Sequence, residues 1–317
     1  MLKRIVLAAM LSLGVVSLAA AETAPLRIVV GFAPGGGVDT LARITARQIE
    51  KTLKRPVVVE NKSGAGGTIA ADYVAKSAPD GNTLLLGDSS LLVAPHIYPK
   101  VGYNIQKSFE PVGVVGQADL VIVVPAASPA KSLSGFLDMA RKEPGKYSFA
   151  SVGVGSIHHL AGELLGIKAG VKLLHVPYRG GSPANQAAAA GEVSMAIASV
   201  ASAMALEKAG KIRILAGLSA KRFPALPNVP AVDETLPGYQ ATPSLFLLAP
   251  AGTPASALAP VTAALKQALG EKSVQDSFIV QGAVTDFHDP AWQADWMRRE
   301  EARWVGVIKQ ADLKFNH

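Results

Sequence analysis

The stretch Leu26-Arg27-Ile28-Val29-Val30-Gly31, followed by Phe32-Ala33-Pro34-Gly35-Gly36-Gly37-Val38-Asp39, is the one from which the fold follows. Its apolar, β-branched start predicts a buried strand, and residues 39–53 carry Leu41, Ile44, Ile49 and Leu53 near helical spacing. Between strand and helix, three glycines let the backbone turn tightly and let a ligand approach with no Cβ in the way. The first N–H groups of a helix lack intrahelical partners, so a carboxylate or phosphate there gains hydrogen bonds and a favourable dipole. Taken alone, the stretch reads equally as a plain turn and as an anion pocket.

The pattern repeats outward. A strand over 56–60 precedes Asn61-Lys62-Ser63-Gly64-Ala65-Gly66-Gly67 and a helix to Lys76. Further strands are expected over 83–87, 112–124, 147–151, 173–176, 195–199, 212–218 and 244–249, with helices over 132–142, 156–166, 183–190 and 202–209. Such alternation predicts an α/β fold of mainly parallel sheets flanked by helices. The last part is expected to be helical over 254–269 and 290–309, with Trp292, Trp296 and Trp304 stacked over the core. An internal similarity links VIVVPAASPAKSLSGFLDMARK, from Val121, with LFLLAPAGTPASALAPVTAALKQ, from Leu245. Each is an apolar strand, a Pro-Ala turn and a helix, which suits two crossings between two α/β lobes with a ligand cleft where they meet. The expected division is 22–124 and 243–317 in one lobe and 125–242 in the other, with two crossing strands as the hinge.

Lys3 and Arg4 precede an apolar run from Ile5 to Ala20, and Ala19-Ala20-Ala21 supplies the small residues that signal peptidase needs. A signal peptide over 1–21, cleaved after Ala21, and a periplasmic location are expected; a retained anchor would need a longer span. The chain has 317 residues and a formal charge of +7, so removing 21 residues and those two charges leaves 296 residues at +5. That is a mild bias toward anions. Basic blocks interleaved with aromatics are absent, which argues against nucleic acid as a partner. With no cysteine, thiol catalysis, disulfides and thiolate metal sites are excluded.

A second loop answers the first. Ser151-Val152-Gly153-Val154-Gly155-Ser156 follows an expected strand and precedes a helix bearing His158, His159 and Glu163, with Ser156 as its natural N-cap. If both loops face one cleft, two helix N-termini could grip the two ends of a dicarboxylate. A dinucleotide fingerprint fails at Thr40, where helix packing wants Gly or Ala. The near match Gly180-Gly181-Ser182-Pro183-Ala184 fails as a nucleophile elbow because Pro183 has no N–H for an oxyanion hole; it reads as a turn capped by Ser182. His159 and Glu163 lie four apart, a spacing open to a metal pair but also to an ordinary helix pair or a polar pocket contact. His96, His175, His288 and His317 show no partner pattern. Arg179, just past a strand end, could pair with a carboxylate or stay a solvated charge.

Taken in order, PGGGVD, VVVENKSGAGGT, PDGNTLLLG, YSFASVGVGSIHHLAGE, VPYRGGSPA, SAKRFPALPNVPAVDE and APAGTP make the chain resemble the substrate-binding receptors of tripartite tricarboxylate transporters, the Bug-type family. The resemblance covers nearly the whole mature chain. It implies a two-lobed, type II-like periplasmic binding protein that is not an enzyme, needs no cofactor or metal, and closes as a monomer on a small organic acid. It further implies delivery to large and small membrane subunits. Carried over by motif, it points to Pro34, Gly35, Gly36 and Asp39 in one lobe and Gly153, Gly155, Ser156 and His159 in the other. Tyr178 and Arg179 match its aromatic and basic pair, and Ser89 and Ser90 its cleft-lining stretch. Asp39 is expected to hold the loop or a water, since like charges repel. Two positions depart from the family pattern: residues 185–191 contain no acid, and Thr242-Pro243 replaces a frequent tryptophan. An exported metal- or serine-dependent enzyme and a sensory binding subunit are the alternatives.

Overall fold

β1 (Leu26–Val30) is buried along most of its length because it lies inside a sheet with partners on both sides. The coordinates are a computed structural model that describes residues 24–98 and 100–313, so the expected signal peptide, its cleavage after Ala21 and His317 lie outside the described residues. After β1 come α1 (Gly37–Leu53), β2 (Val57–Asn61), α2 (Thr68–Ala75), β3 (Thr83–Asp88), the single turn α3 (Ser90–Val93) and β4 (Phe109–Ala118). The chain then forms β5 (Leu120–Pro125), α4 (Leu133–Lys142), β6 (Ser148–Ser151), α5 (Ile157–Ala169), β7 (Leu174–Pro177), α6 (Gly181–Ala190), β8 (Met195–Ser199), α7 (Val200–Lys208) and β9 (Ile212–Gly217). It returns through β10 (Ser244–Pro250), α8 (Ala255–Gly270), α9 (Lys272–Val280), β11 (Ala283–His288) and α10 (Pro290–Gln310).

Two sheets result, ordered β11-β4-β10-β3-β1-β2 and β7-β6-β8-β5-β9. They are mixed rather than mainly parallel. β2, β1 and β3 run parallel, as do β7, β6 and β8, whereas β10 and β4 in one sheet and β5 and β9 in the other are antiparallel to their neighbours. The physical reason is the double crossing: β10 and β5 enter from the other sheet and run against the parallel set, whereas β4 and β9, antiparallel to them, run with it. Apart from β11, the two sheets share one pattern, with β1 equivalent to β6, β3 to β8 and β10 to β5. The internal similarity noted in the sequence therefore joins topologically equivalent strands, β5 and β10, each followed by a helix, α4 and α8.

The strand expected over 112–124 is two strands in different sheets, broken at Asp119. Alternate residues of each strand feed opposite faces. In the first sheet Ile28, Leu84 and Leu247 pack under Leu41, Ile49 and Leu265 of α1 and α8, while Val29, Leu85 and Phe246 face Ala70, Val74 and Met297. In the second, Ile122, Phe149 and Ile197 face Phe136, Leu160 and Trp304, and Val121, Ala150 and Ala196 face the alanines of α6 and α7. α10 thus contributes Met297 to one core and Trp304 to the other. Of the three tryptophans expected over the core, Trp304 is fully buried, whereas Trp292 is 37% exposed and stacks on His288 at 3.6 Å. Helix α10 starts too close to the sheet edge to cover its first turn.

Candidate ligand-binding site

The glycine loop leaves β1 at the end of the sheet where the parallel strands finish. Gly31 lies so near the backbone of Gly67 that a Cβ on it would stand 2.4 Å from the Gly67 Cα, which forces the loop after β2 against the loop after β1. Gly36 is the N-cap of α1 and offers no side-chain cap, so the first helical amides, from Gly37 on, follow the exposed residues Pro34 to Gly36 without a side-chain partner at the cap. Gly35 (φ +78°) turns its N–H back to Asp39 Oδ2 at 2.9 Å. Asp39 is 1% exposed and also accepts from Arg43 Nε at 3.0 Å and Asn61 Nδ2 at 2.8 Å, while Asn61 Nδ2 bonds the Phe32 carbonyl at 3.0 Å. Burial alone would raise the Asp39 carboxyl, but the bonds from Arg43, Asn61 and Gly35 outweigh it and hold the group below its ordinary value. Asp39 is therefore the strut of the loop. Asn61, which sequence reasoning left unassigned, ties that strut to β2; its position at a strand end was the only signal.

The loop after β6 repeats this design with different chemistry. Gly155 (φ +75°) gives its N–H to His159 Nδ1 at 3.2 Å, again four residues ahead on the following helix. Ser156 caps α5 by accepting from the His159 N–H at 3.2 Å, and its hydroxyl donates to the Gly153 carbonyl at 2.7 Å. An amide donor fixes Nδ1 of His159 as an acceptor, which puts the neutral ring's proton on Nε2, 3.5 Å from Glu163 Oε1. The ring is 3% exposed and stacks at 3.8 Å on His175, whose Nε2 lies 2.7 Å from Ser151 Oγ. Burial, then the neighbouring His159, pull His175 down to about 3, so it is neutral. His175 thus has partners that its sequence context did not reveal, because they come from another strand and another helix.

The remaining expected residues fall into two groups. Tyr178 is half-buried, its N–H bonded to the Ser151 carbonyl at 3.0 Å, and Arg179 beside it is exposed, so both border the second loop. Ser89 and Ser90 are buried: Ser89 Oγ accepts from Ser244 N at 3.0 Å, and Ser90 N donates to Asp88 Oδ1 at 2.8 Å. Helix α6 begins at Gly181 with Gly180 as N-cap, so Ser182 lies in its first turn and does not cap it, because the glycines themselves adopt the entry conformation. Contact between the lobes reaches the second loop directly. Tyr98 Oη donates to the Val154 carbonyl at 2.8 Å, and a Cβ on Gly155 would stand 2.8 Å from Ile97. Two other depressions lie elsewhere. One of about 840 Å³ is open and rimmed by Arg27, Lys62, Tyr73 and Lys76, with Arg27 paired to Glu60 and Lys76 to Asp72. Another, of about 360 Å³, lies beside the crossing strands near Gln117, Thr242 and Trp296. Neither contains the paired loops, whose shared geometry is the stronger indication of a site.

Comparison with known proteins bears on the family and the fold. The profile of the tripartite tricarboxylate transporter family receptor matches residues 41–313. A UPF0065 protein from the tcbD-tcbE intergenic region of a Pseudomonas species is 40% identical over 294 residues, 92% of this chain and 88% of the relative. BugT of Bordetella pertussis is 34% identical over 293 residues, 92% of this chain and 90% of that protein. Among solved structures, Rhodopseudomonas palustris Rpa4515 with adipate superposes with a TM-score of 0.85 at 31% identity, covering 92% of this chain and 98% of that one. MatC from the same organism, with bound malate, gives 0.79 at 32% identity, covering 90% and 98%.

Proposed function

Because the chain belongs to the tripartite tricarboxylate transporter receptor family, we propose that it is a periplasmic receptor that captures a small organic acid between its lobes and presents it to the large and small membrane subunits of such a transporter. The observation that carries this reading is the matched pair of loops, each a left-handed glycine braced by the residue four positions on, at equivalent strand ends of two sheets. Adipate and malate in the two superposed relatives support a carboxylate as the class of ligand. The loops Pro34-Gly35-Gly36 and Gly153–Ser156 flank the acid, with Tyr178 and Arg179 at the rim. Asp39 and His159 hold the loops, and Ser89 and Ser90 stand behind them against β10. The lobes divide at Asp119 and near Pro243; the sheet membership of β5 supports moving the first boundary from 125 to 119.

Capture is a population shift, since only a closed arrangement lets both loops hold one ligand. The protein works as a monomer, is exported after cleavage at Ala21, and returns its ligand unchanged. An exported enzyme using His159 and Glu163 is disfavoured because His159 Nδ1 is committed to Gly155. Native mass spectrometry of protein purified without added ligand tests the reading. A small organic acid released intact on denaturation is expected, and a sugar or a metal in its place would overturn it.

A further inference from the structure

Between the second loop and the outward crossing stands a cluster of three neutral side chains, Asn185, Ser199 and Ser202, that the two loops leave unused. Ser199 is half-buried and ends β8. That strand pairs on one side with β6, which feeds the second loop, and on the other with β5, where Leu120, just past the crossing, is the partner of Ser199. The β6–β8 register, Phe149 with Met195 and Ala150 with Ala196, brings Ser199 level with Gly153. Ligand clefts in α/β folds open outside the carboxyl ends of strands, so Ser199 belongs to the floor of the cleft between the lobes.

The protons of this cluster can be counted. Asn185, on α6 and 4% exposed, donates from Nδ2 to Ser202 Oγ at 2.9 Å, in the first turn of α7. Ser202 Oγ also lies 3.0 Å from the Ser199 carbonyl, which can only accept, so the Ser202 proton goes there. The 2.8 Å contact between the two hydroxyls then takes the Ser199 proton. Ser202 ends with one bond donated and two accepted, whereas Ser199 Oγ keeps its lone pairs and has no proton to offer. Turning the Asn185 amide over would draw the Ser202 proton to Oδ1 and strip the Ser199 carbonyl, so it makes one bond fewer. Asn185 Oδ1 has no partner among the described residues, which leaves a second unused acceptor behind Ser202. The side chains of the cluster therefore offer acceptors and no donor.

We propose that Ser199 is a specificity-determining residue of this cleft: its Oγ accepts from a hydroxyl on the bound acid, so that hydroxy acids are preferred to unsubstituted acids of the same length. Asn185 and Ser202 are positioning residues, which act by keeping the Ser199 proton turned away from the ligand. A hydroxyl fits better than an ammonium. Helix α7 begins at Val200, directly after Ser199, and the positive end of its dipole repels a cation, while the cluster holds no carboxylate to offset that repulsion. The proposal rests on the receptor reading above and names the class of acid.

Calorimetric titration of the full-length protein with matched acids that differ by one hydroxyl tests this, with malate against succinate first and longer pairs after them. In at least one pair the hydroxy acid is expected to bind about tenfold more tightly, because the plain acid leaves the acceptor unpaired when the cleft is filled. Ser199→Ala removes the acceptor and should bring the two Kd values within about twofold, mainly by weakening the hydroxy acid. Ser202→Ala frees the Ser199 proton without touching the ligand, and should reduce the preference while leaving the Kd for the plain acid in place. A merely structural role would weaken both members of a pair alike. Equal binding of both members of every pair by wild type, or a preference that survives Ser199→Ala, or a parallel loss of both acids in the two variants, would overturn the proposal. Failure of every acid to bind would instead count against the receptor reading itself.

Discussion

At the scale of single residues, two loops solve one problem with different side chains. Each needs a left-handed glycine whose N–H is tied down, and Asp39 does this in the first lobe while His159 does it in the second. Replacing Asp39 with Ala strips partners from Gly35, Arg43 and Asn61, which should lower unfolding free energy by about 2 to 3 kcal/mol in urea titration. The sign with pH follows from the lowered folded-state value. The stabilisation by Asp39 is complete above the unfolded carboxylate value of about 4 and is lost as pH falls through the lower folded value, so wild type and Asp39→Asn should converge only in acid. Gly155→Ala should cost more stability than Gly35→Ala. Both have positive φ, but only at Gly155 would the new Cβ strike a neighbour, Ile97, at 2.8 Å; adding Ile97→Ala should recover part of the difference. Equal losses for the two variants in parallel melts would show that Ile97 does not press on the loop.

Among the elements, the helix that ends the described chain has the largest structural consequence. α10 runs 21 residues, about 30 Å, and its two halves belong to different cores: Met297 packs on the first sheet and Trp304 on the second. Trp304 is fully buried and donates from Nε1 to Glu300 at 2.7 Å, so Trp304→Ala should cost about 3 to 5 kcal/mol in denaturant unfolding. A loss under about 1 kcal/mol would contradict the joining role. The pattern of strands and glycine loops was readable because buried parallel strands are continuous apolar runs and their helices are amphipathic. The division at Asp119 was not, since the apolar run passes through it and an extended chain can change sheets without a turn. Strand β11 went unseen because AVTDFH pairs only on one side at the sheet edge and is half-exposed, with no alternating pattern to betray it. The candidate site was legible as two glycine loops; the roles of Asn61 and His175 within them were not, because their partners lie on other strands and helices.

Over the whole molecule, two sheets of one pattern are joined by a double crossing, so each sheet carries an equivalent glycine loop at an equivalent strand end. That arrangement explains how a chain with little net charge beyond +7 can recognise an acid without a buried lysine: helix amides and their dipoles provide the positive ends. It also explains why the repeat in the sequence spans β5 and β10, the strands that follow the hinge in each direction. The most direct test is the thermal stability of the full-length protein against a panel of dicarboxylates, hydroxy acids, aromatic acids, amino acids, sugars and divalent cations. The account predicts that at least one carboxylate raises stability, by about 2.7 kcal/mol at a hundred times its Kd, while sugars and cations do not. No response to any acid, together with a clear shift for a sugar or a cation, would contradict it.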